Sequence, residues 1–249
     1  MTTFAEPVAL PSSRTARAVR AEPQRMDLYA SIHKAMRSFM ADTLLRLGSI
    51  DVADVTERDT VLAQLEQLLD LCLAHLRHEN EWVHSAIEAH HVAGSRRIAD
   101  EHVEHVDAIA ELRAEAALLR AASGAEADRI AQRLYRHFAL YVADNFQHMH
   151  VEETAHNALL WQHYSDGELA ALHRRILANI TPAEHLVVAC WMIPASTPSE
   201  RAVIIAGAKA QMPPEALLGM MAVVRPRMDD SGWTKLTAAA GIDPQLGRW

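Results

Sequence analysis

Two stretches of helical apolar periodicity in this chain carry the same pair, a histidine followed four residues later by a glutamate. They are His75-Leu-Arg-His-Glu79 and His148-Met-His-Val-Glu152. Residues four apart lie above one another on a helix face. Each pair therefore offers an imidazole nitrogen and a carboxylate to one point in space. Buried without a counter-charge, two such glutamates would be costly or would have to protonate. His33 adds an imidazole on an apolar helix upstream, and His102 and His105 lie on a helix between the two pairs. Four helices that point imidazole inward, two of them adding carboxylate, can build a dinuclear metal site inside a bundle.

The apolar spacing supports four such helices. Leu28, Ile32, Met36, Phe39, Met40, Leu44 and Leu47 mark a first helix from about Met26, with Gly48 as its stop. A second runs from Asp54 or Thr56 through Leu62, Leu65, Leu69, Leu76 and Val83 to about Ala89. A third runs from about Ser95 through Ile98, Ile109 and Leu112 to about Ala121. After Ser123-Gly124 a fourth continues from about Ala125 through Leu134, Phe138 and Met149 to about His163. Short polar turns between them predict an all-α, antiparallel four-helix bundle.

Past this point the punctuation changes. Ser165-Asp-Gly-Glu168 is a capping-box signature for a fifth helix over 166–179. Thr181-Pro-Ala-Glu184 and Thr197-Pro-Ser-Glu200 repeat it, with Pro in the first helical position and Glu reaching back. Helices are expected near 182–193, 198–211 and 214–224, with a short one after Asp230. The domain reading is a flexible tail over 1–25, a bundle with an extra helix over 26–180, and a small helical appendage over 181–249. Met192, Met212, Met220, Met221 and Met228 are expected to fill core gaps. The apolar run from Leu186 to Met192 has to bury against the bundle or a second copy of the chain, so a homodimer is one expectation.

Composition closes off other classes. Half of the 249 residues are hydrophobic, but Gly and Pro number only nine and ten, which favours helix over sheet. The net charge is −8 and no basic stripe with interleaved aromatics occurs, so nucleic acid is not an expected partner. Cys72 and Cys190 stand far apart in no metal-binding spacing. Reduced thiols, the lack of a signal-peptide core and the absence of a membrane-length apolar run point to a cytoplasmic protein with no membrane partner.

The histidines number fifteen and cluster. On a regular α-helix His78 falls about 60° off the His75 face and suits a supporting or surface role. His84 falls about 140° from Glu79 and suits packing or hydrogen bonding. His90, His91, His156, His163, His173 and His185 read as surface or capping groups, and His150 points away from its ligand neighbours.

The stretch from Ile32-His33-Lys34, through His75-Leu-Arg-His-Glu-Asn-Glu-Trp-Val-His84 and the helix-C histidines, to His148-Met-His-Val-Glu152-Glu153 resembles the hemerythrin-like (HHE cation-binding) family over roughly residues 26–164. The resemblance implies a bundle holding two non-heme iron ions, with two bridging carboxylates and about five histidines. Carried over position by position, the metal ligands are His33, His75, Glu79, His102, His105, His148 and Glu152. Manganese or zinc remains compatible with the same donors.

Two departures stand out. Oxygen-carrying members space the helix-C histidines as HxxxH, whereas His102 and His105 are three apart, so either both bind or only one does. The last carboxylate can be Glu152 or Glu153; Glu152 stacks more directly. The implied function is binding of, or reaction with, dioxygen, peroxide or nitric oxide, for sensing, scavenging or delivery. The alternatives are an oxygen-dependent oxidoreductase whose appendage closes a pocket with Trp191, Met192 and Trp233, or an iron store or repair donor.

Overall fold

The computed structural model describes residues 25–243. The tail expected over 1–25 lies outside them, apart from Arg25. That guanidinium is tied to the Asp166 carboxylate at 2.7 Å and donates to the carbonyls of Trp161 and Tyr164. Among the described residues all regular structure is helical.

The first four rods are α1 (Ala30–Ser49), α2 (Val55–His78), α4 (Arg96–Ala121) and α5 (Gly124–Val151). Each packs on two of the others, closing a ring in the order α1, α2, α4, α5. Two of the rods change pitch without stopping. α2 passes through a π-helical segment, Glu79–His84, into α3 (Ser85–Glu88). α5 passes through a second, Glu152–His156, into α6 (Asn157–His163).

Local signals account for most boundaries. Asp27 Oδ1 accepts the N–H groups of Tyr29 and Ala30, which delays the start of α1 to Ala30. Asp54 caps α2 by accepting from Thr56 and Glu57 N–H. Gly48 does not stop α1, which runs through it to Ser49. A Cβ at Gly48 would come within 3.0 Å of the Tyr135 ring, so the missing side chain serves a close helix contact instead.

The ring encloses an apolar core of Met36, Phe39, Leu62, Leu65, Leu69, Leu112, Leu119, Leu134 and Phe138, all at most 1% exposed. Each such side chain is worth about 1.5–3 kcal/mol of burial. A separate small cluster of Leu28, Tyr29, Val83, Ile87, Leu160 and Leu169 closes one end.

The remaining helices are α7 (Asp166–Ala178), α8 (Pro182–Ala195), α9 (Pro198–Gln211), α10 (Pro214–Val224) and α11 (Asp230–Ala240). α8 lies along α1, and its Trp191 stacks on Phe39 with centroids 4.0 Å apart. Much of the Leu186–Met192 run finds cover within the same chain, with Val187, Val188 and Met192 against the main core, while Leu186 stays exposed. α9 to α11 gather a second core from Ile193, Ile205, Leu217, Met221, Val224, Trp233 and Leu236. Met220, Met221 and Met228 are buried there and Met212 packs at its edge.

The N-caps of α7 and α9 are complete capping boxes. That of α8 is half of one: Thr181 accepts from Glu184 N–H, but the Glu184 carboxylate turns to His78 Nε2, 3.1 Å away. A buried histidine offers it a stronger partner than the solvated N–H of its own cap. Both cysteines are free, and burial pushes the Cys72 thiol up to about 12. No single described helix is long and apolar enough to cross a membrane.

Candidate metal centre

Glu79 and Glu152 are the first residues of the two π-helical segments. Such segments bring in an extra residue per turn and recur at functional sites. Both carboxylates are buried, Glu79 at 4% exposure and Glu152 at 0%. None of their four oxygens has a hydrogen-bond partner.

Four imidazoles surround them, each with Nε2 turned inward. Glu79 Oε1 lies 3.0 Å from His75 Nε2 and 3.7 Å from His33 Nε2, while its Oε2 lies 3.6 Å from His102 Nε2. Glu152 Oε2 lies 3.5 Å from His33 Nε2, while its Oε1 lies 3.4 Å from His148 Nε2 and 3.9 Å from His102 Nε2. Each carboxylate thus divides its two oxygens between two donor groups. One group is His33, His75, Glu79 and Glu152; the other is Glu79, His102, His148 and Glu152. Within either group the donor atoms lie within 4.8 Å of one another. Imidazole nitrogen and carboxylate oxygen in this proportion could hold metal ions such as iron, manganese or zinc.

The outer nitrogens are held as well. His33 Nδ1 lies 3.0 Å from Glu153 Oε1, and Arg37 grips the same carboxylate at 2.6 and 3.0 Å. His148 Nδ1 lies 2.9 Å from Glu101, which also accepts from Arg97. His102 Nδ1 lies 2.8 Å from Asn80 Oδ1. These partners are acceptors, so each ring in its neutral form carries its proton on Nδ1 and turns a bare Nε2 to the centre. The Nε2 atoms of His102 and His148 then face each other at 3.0 Å, an arrangement that only a proton or a cation relieves.

The electrostatics agree. Burial opposes ionisation of both glutamates, yet the histidines around them outweigh it. Glu79 is held well below the usual carboxylate range, chiefly by His75 and His33, and Glu152 is lowered by His102 and His148 against the repulsion of Glu79. Burial also opposes charge on His33, but Glu153, Glu79 and Glu152 lift it to about 9, and His148 is raised by Glu152 and Glu101. The positive charge favoured on His33 and His148 offsets that of the buried carboxylates, and a divalent cation bound there would compete with it.

Six of the seven residues singled out in the sequence meet in these two groups. The seventh, His105, does not enter either. Three residues advance a helix by about 300°, so its ring is swung off the His102 direction. It sits with its centroid 4.8 Å from His148 and 5.8 Å from Tyr141. Burial, helped by His148, lowers it to about 4. Of the two candidate carboxylates that follow α5, Glu152 is inside and Glu153 is the outer partner of His33.

Three further residues adjoin the centre. His84 is buried and stacked on His102, with centroids 5.0 Å apart. An i→i+5 turn places residues five apart over one another, so the π segment returns His84 to the Glu79 side. His156, expected at the surface, is 2% exposed, because it continues the four-residue row His148, Glu152, His156. The Tyr29 hydroxyl lies 3.1 Å from His156 Nδ1. The remaining i,i+4 signal, Glu152 to His156, was legible in the sequence.

No family model, no curated protein and no solved structure matches the chain.

Proposed function

We propose that this chain is a hemerythrin-like, non-heme di-iron protein whose four-helix ring holds the metal pair, and that it binds or reacts with dioxygen, peroxide or nitric oxide. The division of each buried carboxylate between two donor groups carries this reading, because Glu79 and Glu152 so placed could each be shared by two metal ions. Bound iron would supply an accessible redox couple and an open coordination position.

The chain's own residues do the rest. His33, His75, His102 and His148 provide neutral donors. Glu153, Glu101 and Asn80 fix three of those rings in the tautomer a metal needs. Leu28, Val83, Ile87, Leu160 and Leu169 keep the end of the ring apolar. A set of four imidazoles to two carboxylates is poor in negative charge, which suits small-ligand binding better than strongly oxidising chemistry. The oxidoreductase alternative called on Trp191 and Trp233 to line a mouth. Trp191 is instead stacked on Phe39 and Trp233 is buried in the second core.

Metal analysis with an optical spectrum of the purified full chain tests this. Two irons per chain with near-ultraviolet charge-transfer absorption is the expected result. Two zinc or manganese ions would keep the centre and replace iron. Retention of two metals in both His75→Ala and His148→Ala would sink the assignment.

A further inference from the structure

The two π-helical segments deliver more than the glutamates that open them. Each also ends on a buried histidine, His84 in the first and His156 in the second. Their rings meet edge to face at 5.4 Å, and a donor atom from each lies within 4.8 Å of the other and of a Glu152 oxygen. Neither histidine belongs to the two groups described above.

Three observations mark this as a place for a ligand rather than a packing accident. His84 is 5% exposed, and its Nε2 is buried with no hydrogen-bond partner. Both Glu152 oxygens are likewise unpartnered. An unpaired buried polar nitrogen costs stability that a packing role does not recover. The third is that the Tyr29 hydroxyl, itself buried, lies 3.1 Å from His156 Nδ1 and holds that ring in place.

We infer that His84, His156 and Glu152 form a third cation position beside the pair, one that takes a divalent first-row metal such as zinc(II). Two imidazoles and one carboxylate form an ordinary zinc donor set. Glu152 already serves both groups of the pair, so the third position is the weakest and fills last. The inference does not depend on the pair holding iron.

The test is a zinc(II) titration of the chelator-stripped full chain, read by a competing chromophoric chelator. It is run in a His163→Ala background, which removes the exposed stacked pair His90 and His163 as an incidental zinc site. Three zinc ions per chain are expected, the third at least tenfold weaker than the first two. His84→Asn with His156→Asn should bind two, with the affinities of those two changed less than threefold. Tyr29→Phe, which loses only a hydroxyl, should weaken the third alone. Zinc-soaked crystals should show a third anomalous peak between the two histidines. Saturation at two zinc ions, or three retained in the double variant, overturns this inference and leaves the pair standing. No zinc bound at all overturns both.

Discussion

Near Leu65, Leu112, Leu119 and Leu134 the helix ring is filled with hydrocarbon, and its rare buried polar group, Thr43, is met by Gln64. Some turns further along the same four helices, the buried side chains are His33, His75, Glu79, His102, His148 and Glu152. The first end is held by area removed from water and needs nothing from outside. The second is a set of charges and lone pairs whose balance requires protons or cations. One scaffold therefore carries a part that stabilises the fold and a part that draws on it.

The contrast is open to direct attack. Phe138→Ala, at the apolar end, should cost about 3–5 kcal/mol in denaturant unfolding, with the metal content unchanged. Iron loss in that variant would show that the two ends are not separable. Glu152→Gln should strike the metal first. Metal affinity should fall more than a hundredfold, and the chelator-stripped protein should also unfold at a lower denaturant midpoint, since His33 and His148 lose a buried counter-charge.

Changing an outer partner should have a smaller effect. Glu101→Gln and Glu153→Gln leave every inner donor in place and should weaken metal binding by about 10–100-fold. Equal affinity in both would mean that the tautomers are set by something else. Burial raises Glu153, but His33 and Arg37 outweigh it and hold it at about 2.

The smallest effect concerns the Lys34–Glu200 bridge, which joins α1 to α9 at 2.6 Å. Lys34 and the cap of α9 hold the Glu200 carboxyl down at about 2. A depressed carboxyl stabilises the fold above its ordinary pKa, and that contribution is lost as pH falls toward 2. Both side chains are more than a third exposed, so Glu200→Gln should flatten the acid limb by less than about 1 kcal/mol. A larger change would reveal a coupling between the appendage and α1 that is not confined to the surface.

What could be read from residues alone follows the regular helix. Asp54, Ser165 and Thr197 announce their caps, and the apolar stripes locate every long rod. His75 with Glu79, and His148 with Glu152, are visible because they obey the four-residue rule up to the last α-helical turn. His156 obeys the same rule, whereas His84 lies past a change in it. His84 is out of phase with Glu79 at about 100° per residue and in phase only once the turn widens. Gly48 and Glu184 depart from their local signals for a related reason. Each has a tertiary partner, Tyr135 and His78, that local propensity does not encode.

The paired π segments have a consequence for how this chain tolerates insertion and deletion. A helix of constant pitch transmits a lost residue as a uniform rotation, but a widened turn can absorb it by tightening. Removing the exposed Glu81 would let 79–84 close into ordinary α-helix. The rod would stay continuous and the core beneath it undisturbed, while His84 swung out of line with Glu79. The metal end of the molecule is thus recorded in residue count as much as in residue type. Gaps of a single position between Glu79 and His84, or between Glu152 and His156, would alter its chemistry while leaving each named donor present in the sequence.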